Sequence, residues 1–127
     1  MEGVKTFFFD AYALYEIVAG NKKYEKYTKG AAIVTTKLNL MELHYGLLSL
    51  FGKEKADNMF DELVQYTQEV DNNTIKEASL LRFSLKKRNL SYVDCIGYTI
   101  AKKMNIQFLT GDMQFKDLDN VEFVAAK

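Results

Sequence analysis

Short apolar runs alternate along the chain with longer stretches whose apolar residues recur at helical spacing. The short runs are rich in strand-forming residues and predict five strands, at 4–9, 31–36, 66–70, 106–110 and 121–124. The stretches between them predict helices at 11–19, 22–29, 38–50, 56–64, 74–88, 91–104 and 112–118. Strands that are buried on both faces and joined by helices favour a parallel sheet. The pattern therefore predicts an α/β fold, a three-layer α/β/α sandwich with a mostly parallel five-stranded sheet, formed by a single domain over 1–127.

The composition is that of a soluble globular domain, because 48% of the 127 residues are hydrophobic and 27% are charged. The 17 basic and 17 acidic residues give a net charge of zero, which argues against a tight, non-specific nucleic-acid binder. A neutral chain still allows an enzyme that contacts a nucleic acid at one face. The single cysteine, Cys95, excludes an intramolecular disulfide and a multi-cysteine zinc site, and it is typical of a reducing compartment.

The N-terminal residues lack the basic start, the long apolar segment and the small-residue cleavage site of a signal peptide. No apolar run approaches the ~18 residues that a membrane span needs. We therefore expect a cytoplasmic protein that does not interact with a membrane.

Acidic residues stand at, or shortly after, the predicted carboxyl ends of the strands. Asp10 directly follows the first strand, and Asp112 closely follows the fourth. Asp94 lies in the first turn of the helix at 91–104, and Glu42 lies in the first half of the helix after the second strand. Ligands of parallel α/β sheets bind at this edge of the sheet. Carboxylates that converge there repel one another and are tolerated around cations, and oxygen ligands without His or Cys favour Mg²⁺ or Mn²⁺.

Each of these acids also has an ordinary structural explanation. Ser91 and Asp94 have the spacing of a capping box, and Asp112 could cap its own short helix. Asp10 could be a strand-end turn residue, and Glu42 could be a solvated helix position. No single acid is specific, so the functional signal is their joint placement in an α/β chain.

Four segments, in this order and at this spacing, resemble the PIN-domain family of ribonucleases. They are residues 7–14, 39–42, 90–98 and 108–115, and together they span nearly the whole chain. The resemblance implies a metal-dependent endoribonuclease, most often the toxin of a VapBC-type toxin–antitoxin pair. It implies that the catalytic, metal-binding acids are Asp10, Glu42, Asp94 and Asp112, with Thr110 as a polar helper. It also implies Mg²⁺ or Mn²⁺ as the cofactor, RNA as the substrate and an antitoxin protein as a partner.

The chain departs from the family pattern near two of the acids. Tyr12 stands two residues after Asp10, where the family often has a small hydroxyl or amide residue, so a serine-type helper there is in doubt. Cys95 stands where a small residue is usual, and we expect it to be buried packing. The only histidine, His44, is two residues from Glu42 on a helix and should point to a different face.

Basic residues on two predicted helices are candidate RNA contacts. We single out Arg82, because its helix leads into the segment that holds Asp94. Weaker candidates are Lys22, Lys23, Lys86 and Lys87. Lysine runs are more often solvated surfaces than binding tracks, and on a neutral protein they imply moderate, salt-sensitive binding.

Aromatic residues make up 13% of the chain, which exceeds what one small core obviously needs. We expect part of this surplus, such as Tyr12, Tyr15 or Tyr45, to face either a second copy in a homodimer or an antitoxin helix. The expected assembly is therefore a homodimer that also offers a surface to the antitoxin.

Two other functions fit parts of the sequence. A phosphate-accepting receiver domain would use Asp71 as the acceptor, Thr110 as the switch residue and Lys127 as the terminal lysine. It leaves Asp94 unexplained, and it needs a second acid at the position of Ala11. The other alternative is a PIN-like module that binds without catalysis, and the presence of all four acids argues against it.

Overall fold

The computed structural model describes residues 4–127, and a parallel sheet of four strands lies at its centre. The strands are β1 (Lys5–Phe9), β2 (Ala31–Val34), β3 (Gln107–Thr110) and β4 (Val121–Phe123), in the order β2-β1-β3-β4. Phe8 in β1 pairs with Val34 in β2 and with Phe108 in β3, so the sheet continues on both sides of β1. Because every pair is parallel, the carboxyl ends of all four strands meet at one edge.

Within the described residues, six α-helices connect and cover the strands. They are α1 (Ala11–Val18), α2 (Lys26–Lys29), α3 (Lys37–Phe51), α4 (Lys53–Leu63), α5 (Asn72–Ser84) and α6 (Tyr92–Lys103). Short 3₁₀ turns occupy Lys22–Tyr24, Val64–Tyr66 and Met113–Phe115. Four helices begin at a side chain that accepts a hydrogen bond from the N–H group three residues later, namely Asp10, Thr36, Asp71 and Ser91. None of the helices within residues 4–127 is long and apolar enough to cross a membrane.

The prediction of a strand at 66–70 is wrong, so the sheet has four strands instead of the predicted five. A 3₁₀ turn continues α4 as far as Tyr66, and Thr67 then forms one isolated parallel bridge with Thr35, just past the end of β2. The N–H of Thr35 donates to the carbonyl of Tyr66 at 3.1 Å, and the N–H of Gln68 donates to the carbonyl of Thr35 at 2.8 Å. Only Tyr66 of the predicted strand lies in the 3₁₀ turn, and residues 67–70 form no ladder with β2 beyond this single bridge before α5 begins at Asn72.

Apolar side chains pack on both faces of the sheet, which gives the three-layer α/β/α sandwich that the sequence predicts. Phe7 and Phe9 pack with α1, α3 and α4, whereas Phe8 packs on the other face with α5 and α6. Gly97 lets α6 come close to the sheet, because a β-carbon at this position would lie 2.6 Å from the ring of Phe8. Cys95 is fully buried in this second layer. The close approach fixes the position of α6, whose first turn carries a carboxylate of the site.

Candidate active site

A cleft of about 410 Å³ opens at the carboxyl edge of the sheet. All four acids that the sequence singles out line it, namely Asp10, Glu42, Asp94 and Asp112. They come from separate elements: the N-cap of α1, the second turn of α3, the first turn of α6 and the turn after β3. The other lining residues are Ala11, Tyr12, Tyr15, Glu16 and Leu43. The parallel topology explains the meeting, since each element follows, or packs beside, a strand that ends at this edge.

Asp10 is the buried acid of the cleft, with 2% of its surface exposed. Its Oδ1 accepts a hydrogen bond from the N–H of Ala13 at 2.8 Å, and its Oδ2 accepts one from the hydroxyl of Thr110. Burial raises the pKa of Asp10 to about 8; the two hydrogen bonds oppose this rise, and the charges of Asp94 and Asp112 add to it. The protein alone therefore disfavours the ionised form of this carboxyl group at neutral pH.

Thr110 connects two of the acids. Its hydroxyl donates to Asp10 and accepts a hydrogen bond from the N–H of Asp112 at 3.0 Å. The side chain is fully buried at the end of β3, where its position is set by the pairing of β3 with β1 and β4. The residue expected to be a polar helper thus links the carboxyl group of Asp10 to the backbone N–H of Asp112.

Asp94 and Asp112 combine helix capping with a place in the cleft. The N–H of Asp94 donates to Oγ of Ser91 at 3.0 Å, and Oδ1 of Asp112 accepts from the N–H of Gln114 at 2.9 Å. Burial raises the pKa of Asp94, the hydroxyl of Ser91 opposes this rise, and the charge of Asp112 adds to it. Asp112 therefore caps its turn with its own side chain, whereas Ser91 is the cap of α6 and Asp94 its partner, and neither role excludes the acid from the site.

Glu42 approaches the cleft from α3. Glu42 is exposed overall, and its partial desolvation at the cleft raises its pKa, with the charge of Asp94 adding to the rise. The start of α3 is fixed by Thr36, whose hydroxyl donates to Oδ1 of Asn39 at 2.6 Å and accepts from the N–H of Asn39 at 3.2 Å. Asn39 is itself fully buried one turn before Glu42, so the helix that carries this acid is anchored in the core.

The chemistry of the cleft fits a hard divalent cation. Its candidate donors are carboxylate oxygens, and no His or Cys of the described part of the chain lines it. Within residues 4–127, no three Asp, Glu, His or Cys side chains are grouped as a ready-made metal site. The fit to Mg²⁺ or Mn²⁺ is therefore one of donor type and charge.

Two further polar residues line the cleft without having been predicted as site residues: Tyr15, which was expected at an interface, and Glu16. Both follow from helix geometry, because Tyr12, Tyr15 and Glu16 are spaced i, i+3 and i+4 and share one face of α1. Glu16 also accepts a hydrogen bond from Nδ2 of Asn21 at 2.8 Å. Burial raises the pKa of Tyr12 and the charge of Glu16 raises it further, so the phenol beside the acids stays uncharged at neutral pH.

The basic residues proposed as RNA contacts lie outside the lining of the cleft. Arg82 donates from Nε to the carbonyl of Leu90 at 2.9 Å, and its guanidinium lies 4.3 Å from the centre of the Tyr92 ring. It thereby braces the segment that leads into α6. The four lysines are exposed, at Lys22, Lys23, Lys86 and Lys87.

Three other residues that the sequence raises have structural roles. His44 pairs with Asp57 of α4 at 2.7 Å, away from the acidic cleft. Burial raises the pKa of the Cys95 thiol to about 11, so the thiol stays protonated at neutral pH. Asp71 caps α5 by accepting from the N–H of Thr74 at 2.8 Å and does not line the cleft, which removes the acceptor that a receiver domain would need.

The sequence profile of the PIN domain matches residues 7–121. A search of curated proteins finds no match. Among solved structures, VapC20 of Mycobacterium tuberculosis, a sarcin-ricin loop cleaving toxin, superposes with a TM-score of 0.78 at 19% identity, over 91% of this chain and 97% of that one. VapBC-5 of the same organism, from the VapBC family of toxin–antitoxin systems, gives 0.67 at 20% identity, over 94% and 98%.

A toxin–antitoxin complex from Klebsiella pneumoniae gives a TM-score of 0.72 at 14% identity, over 95% of this chain and 98% of that one. At these identities, the structural likeness shows the fold. In each comparison, the similarity extends over nearly the full length of both chains.

Proposed function

Because the chain belongs to the PIN domain family, we propose that it is a metal-dependent endoribonuclease that hydrolyses RNA phosphodiester bonds. The observation that carries the proposal is a buried carboxyl group, Asp10, which shares a cleft with Glu42, Asp94 and Asp112. An ionised acid that is both buried and surrounded by like charges destabilises a protein unless a cation or a proton neutralises it. Binding a cation relieves this repulsion, and phosphodiester hydrolysis is chemistry that such a cation assists.

The four acids would hold Mg²⁺ or Mn²⁺. When bound, the ion supplies an activated water nucleophile and stabilises negative charge on the attacked phosphate. The chain's own contribution is to orient the ligands: Thr110 and the N–H of Ala13 each hold one oxygen of Asp10. The Ser91 cap holds the first turn of α6 in place and, with it, Asp94.

We further propose that the chain is the toxin of a VapBC-type pair, acts in the cytoplasm and binds an antitoxin protein. The support comes from the similar structures, which include a toxin of M. tuberculosis and a toxin–antitoxin complex of K. pneumoniae. Apolar surface is available on α3, where Met41 and Tyr45 leave 59% and 78% of their surface exposed. Co-expression with a small protein encoded next to this chain should restore growth to cells that the chain arrests.

The nuclease proposal is tested with purified protein and single-stranded RNA, in Mg²⁺, in Mn²⁺ and in EDTA. We expect cleavage with metal and none in EDTA. Asp112→Asn should lose more than the ~10–100-fold that typically follows removal of an outer-shell metal partner, because it removes the negative charge of a direct ligand. Asp61→Asn, an exposed acid on α4 outside the acidic cleft, is the matched control and should keep full activity.

Cleavage that persists undiminished in EDTA, with contaminating nuclease excluded, would overturn the metal mechanism. RNA binding without cleavage in either metal would instead support the alternative of a non-catalytic PIN-like module.

A further inference from the structure

Two tyrosines of α1 form one wall of the acidic cleft. Tyr12 and Tyr15 are one helical turn apart, both are half-buried, and both line the cleft together with Asp10 and Asp112. Their spacing places them on the same face of the helix. The cleft therefore combines carboxylates with two aromatic rings.

Tyr12 is held in place by the loop that carries Asp112. One edge of its ring lies against Gly111, where a β-carbon would come within 2.2 Å of Cε1 and 2.8 Å of Cδ1. Gly111 is buried between this ring and the carbonyl of Val124, which would lie 2.7 Å from the same β-carbon. The ring is therefore seated on the backbone beside the strand-end acids.

Tyr15 lies next to helix α3, with more room than Tyr12 has beside Gly111. A β-carbon at Gly46 of α3 would lie 3.4 Å from Cδ1 of Tyr15, so this ring edge also faces a glycine. Each ring of the wall therefore has one edge next to a glycine backbone. Rings already fixed in this way lose little conformational freedom when a ligand stacks on them.

Among residues 4–127, no cationic side chain lines the cleft. A nucleic acid bound there would be repelled by the acids except where a metal ion intervenes, so its other contacts inside the cleft have to be uncharged. Stacking of bases on aromatic rings is the uncharged contact that proteins use for single-stranded nucleic acid.

We propose that Tyr12, assisted by Tyr15, forms a stacking surface for a nucleobase next to the phosphate that is cleaved. The inference rests on the proposed ribonuclease function and adds a specificity-determining contact to it. The occupant is an unpaired base of single-stranded RNA. Tyr12 is the primary contact because it lies beside both Asp10 and Asp112, whereas Tyr15 is a turn further along the wall.

The test uses a short single-stranded RNA and a set of copies in which one base at a time is replaced by an abasic ribose. Cleavage in Mg²⁺ is measured as kcat and KM for the wild type, Tyr12→Phe and Tyr12→Leu. For the wild type, one abasic position should raise KM by about 5- to 150-fold, the equivalent of the ~1–3 kcal/mol that stacking of one base contributes. Tyr12→Leu should show this loss on the intact RNA and no further loss on that abasic copy, whereas Tyr12→Phe should behave like the wild type.

Tyr15→Leu serves as the second variant, and thermal unfolding shows whether each protein is folded. If the abasic copy raises the KM of Tyr15→Leu by less than it raises the KM of the wild type, the assisting role of Tyr15 is supported. The proposal is overturned if Tyr12→Leu distinguishes intact from abasic RNA as strongly as the wild type does, or if no abasic position affects the wild type.

Failure of the proposed function gives a different result. If the wild type cleaves no RNA in Mg²⁺ or Mn²⁺, the nuclease proposal fails, and the stacking surface is then decided by fluorescence anisotropy of the same RNA set in Mg²⁺. The same loss of affinity at one abasic position, absent from Tyr12→Leu, supports the surface, and equal affinities throughout overturn it.

Discussion

The hydroxyl group of Thr110 donates a hydrogen bond to the buried carboxyl group of Asp10, across the pair of strands that form the centre of the sheet. The same hydroxyl accepts from the N–H of Asp112 at 3.0 Å. One small side chain therefore sets the geometry of two acids and is the largest influence that opposes the raised pKa of Asp10. Its removal should be felt in both stability and chemistry.

We expect Thr110→Val to destabilise the protein by ~1–3 kcal/mol, because it leaves buried polar groups at Asp10 and Asp112 without a partner. It should also weaken metal binding, since the Asp10 carboxyl group loses a donor that favours its ionised form. Thr110→Ser keeps the hydroxyl and should retain most of the activity. Urea unfolding and RNA cleavage of the three proteins check this prediction, and equal activities for the Val and Ser variants would contradict it.

The pKa of Asp10 predicts how stability depends on pH in EDTA. This pKa is about 8 in the folded protein against 3.8 for an unperturbed Asp, so between these values the unfolded chain binds fewer protons than the folded one. The contribution of Asp10 to stability is therefore fully present below pH 3.8 and is lost as the pH rises through about 8. The free energy of unfolding should fall by up to ~1.4 kcal/mol per pH unit in this window.

Asp10→Asn cannot ionise and should remove this pH dependence. It should be at least as stable as the wild type at the alkaline end in EDTA, and Mg²⁺ should stabilise it less than the wild type. Chemical unfolding at several pH values, with and without Mg²⁺, tests both statements. A variant whose stability falls with pH as steeply as that of the wild type would show that the buried carboxyl group is not the cause.

The acids at the strand ends could be predicted because their signal is local. Asp10 and Asp112 directly follow, or closely follow, apolar runs, and a parallel sheet brings such positions together whatever the details of packing. Asp94 could be recognised as a cap from the spacing of Ser91, and its second role emerges only when α6 is placed against the sheet.

The segment at 66–70 could not be assigned from its residues, because Tyr66, Thr67 and Val70 favour a strand whereas Gln68 and Glu69 also suit a helix. Its state is decided by where α4 ends relative to β2, and Thr67 gains a single bridge instead of a ladder. The wall formed by Tyr12 and Tyr15 could not be predicted, because it depends on which face of α1 turns towards the cleft. Their expected place at a protein interface stays a prediction.

A homodimer remains a prediction, and the exposed apolar residues offer a direct way to examine it. Sedimentation at micromolar concentration should show a species of about twice the 14.6 kDa chain. Tyr45→Asp changes a side chain that is 78% exposed, so the monomer should still fold while the assembly weakens. A wild-type protein that sediments only at the mass of one chain would count against the dimer.

Gly111→Ala should destabilise the protein by ~1–3 kcal/mol through overpacking. The added methyl group would meet the Tyr12 ring at 2.2 Å and the carbonyl of Val124 at 2.7 Å, and the carbonyl belongs to the backbone and cannot turn away. Gly46→Ala is the matched control: its β-carbon would lie 3.4 Å from Tyr15, and a helix interior favours Ala over Gly by up to ~1 kcal/mol. Urea unfolding should therefore separate the two variants clearly, and equal effects would refute the seating of Tyr12 on Gly111.

Asp94→Asn separates the two roles of Asp94 by experiment. If capping were its whole role, the substitution should lose ~0.5–1 kcal/mol of stability and leave RNA cleavage nearly intact. The charge of Asp112 and burial both raise the pKa of Asp94, so the neutral amide should relieve repulsion in the metal-free protein. We therefore expect the variant to match or exceed the wild type in thermal stability in EDTA, and to lose most of its cleavage activity.

The response to metal completes this test, because it depends on the charge of the site and not on the cap. Mg²⁺ should raise the melting temperature of Asp94→Asn less than that of the wild type, since one ligand is lost. Ser91→Ala provides the matched control, as it removes the oxygen that accepts from the N–H of Asp94 and leaves the carboxylate in place. This control should be destabilised with and without Mg²⁺ and still respond to the metal. A destabilised but fully active Asp94→Asn protein would return Asp94 to an ordinary helix cap and remove a central member of the proposed site.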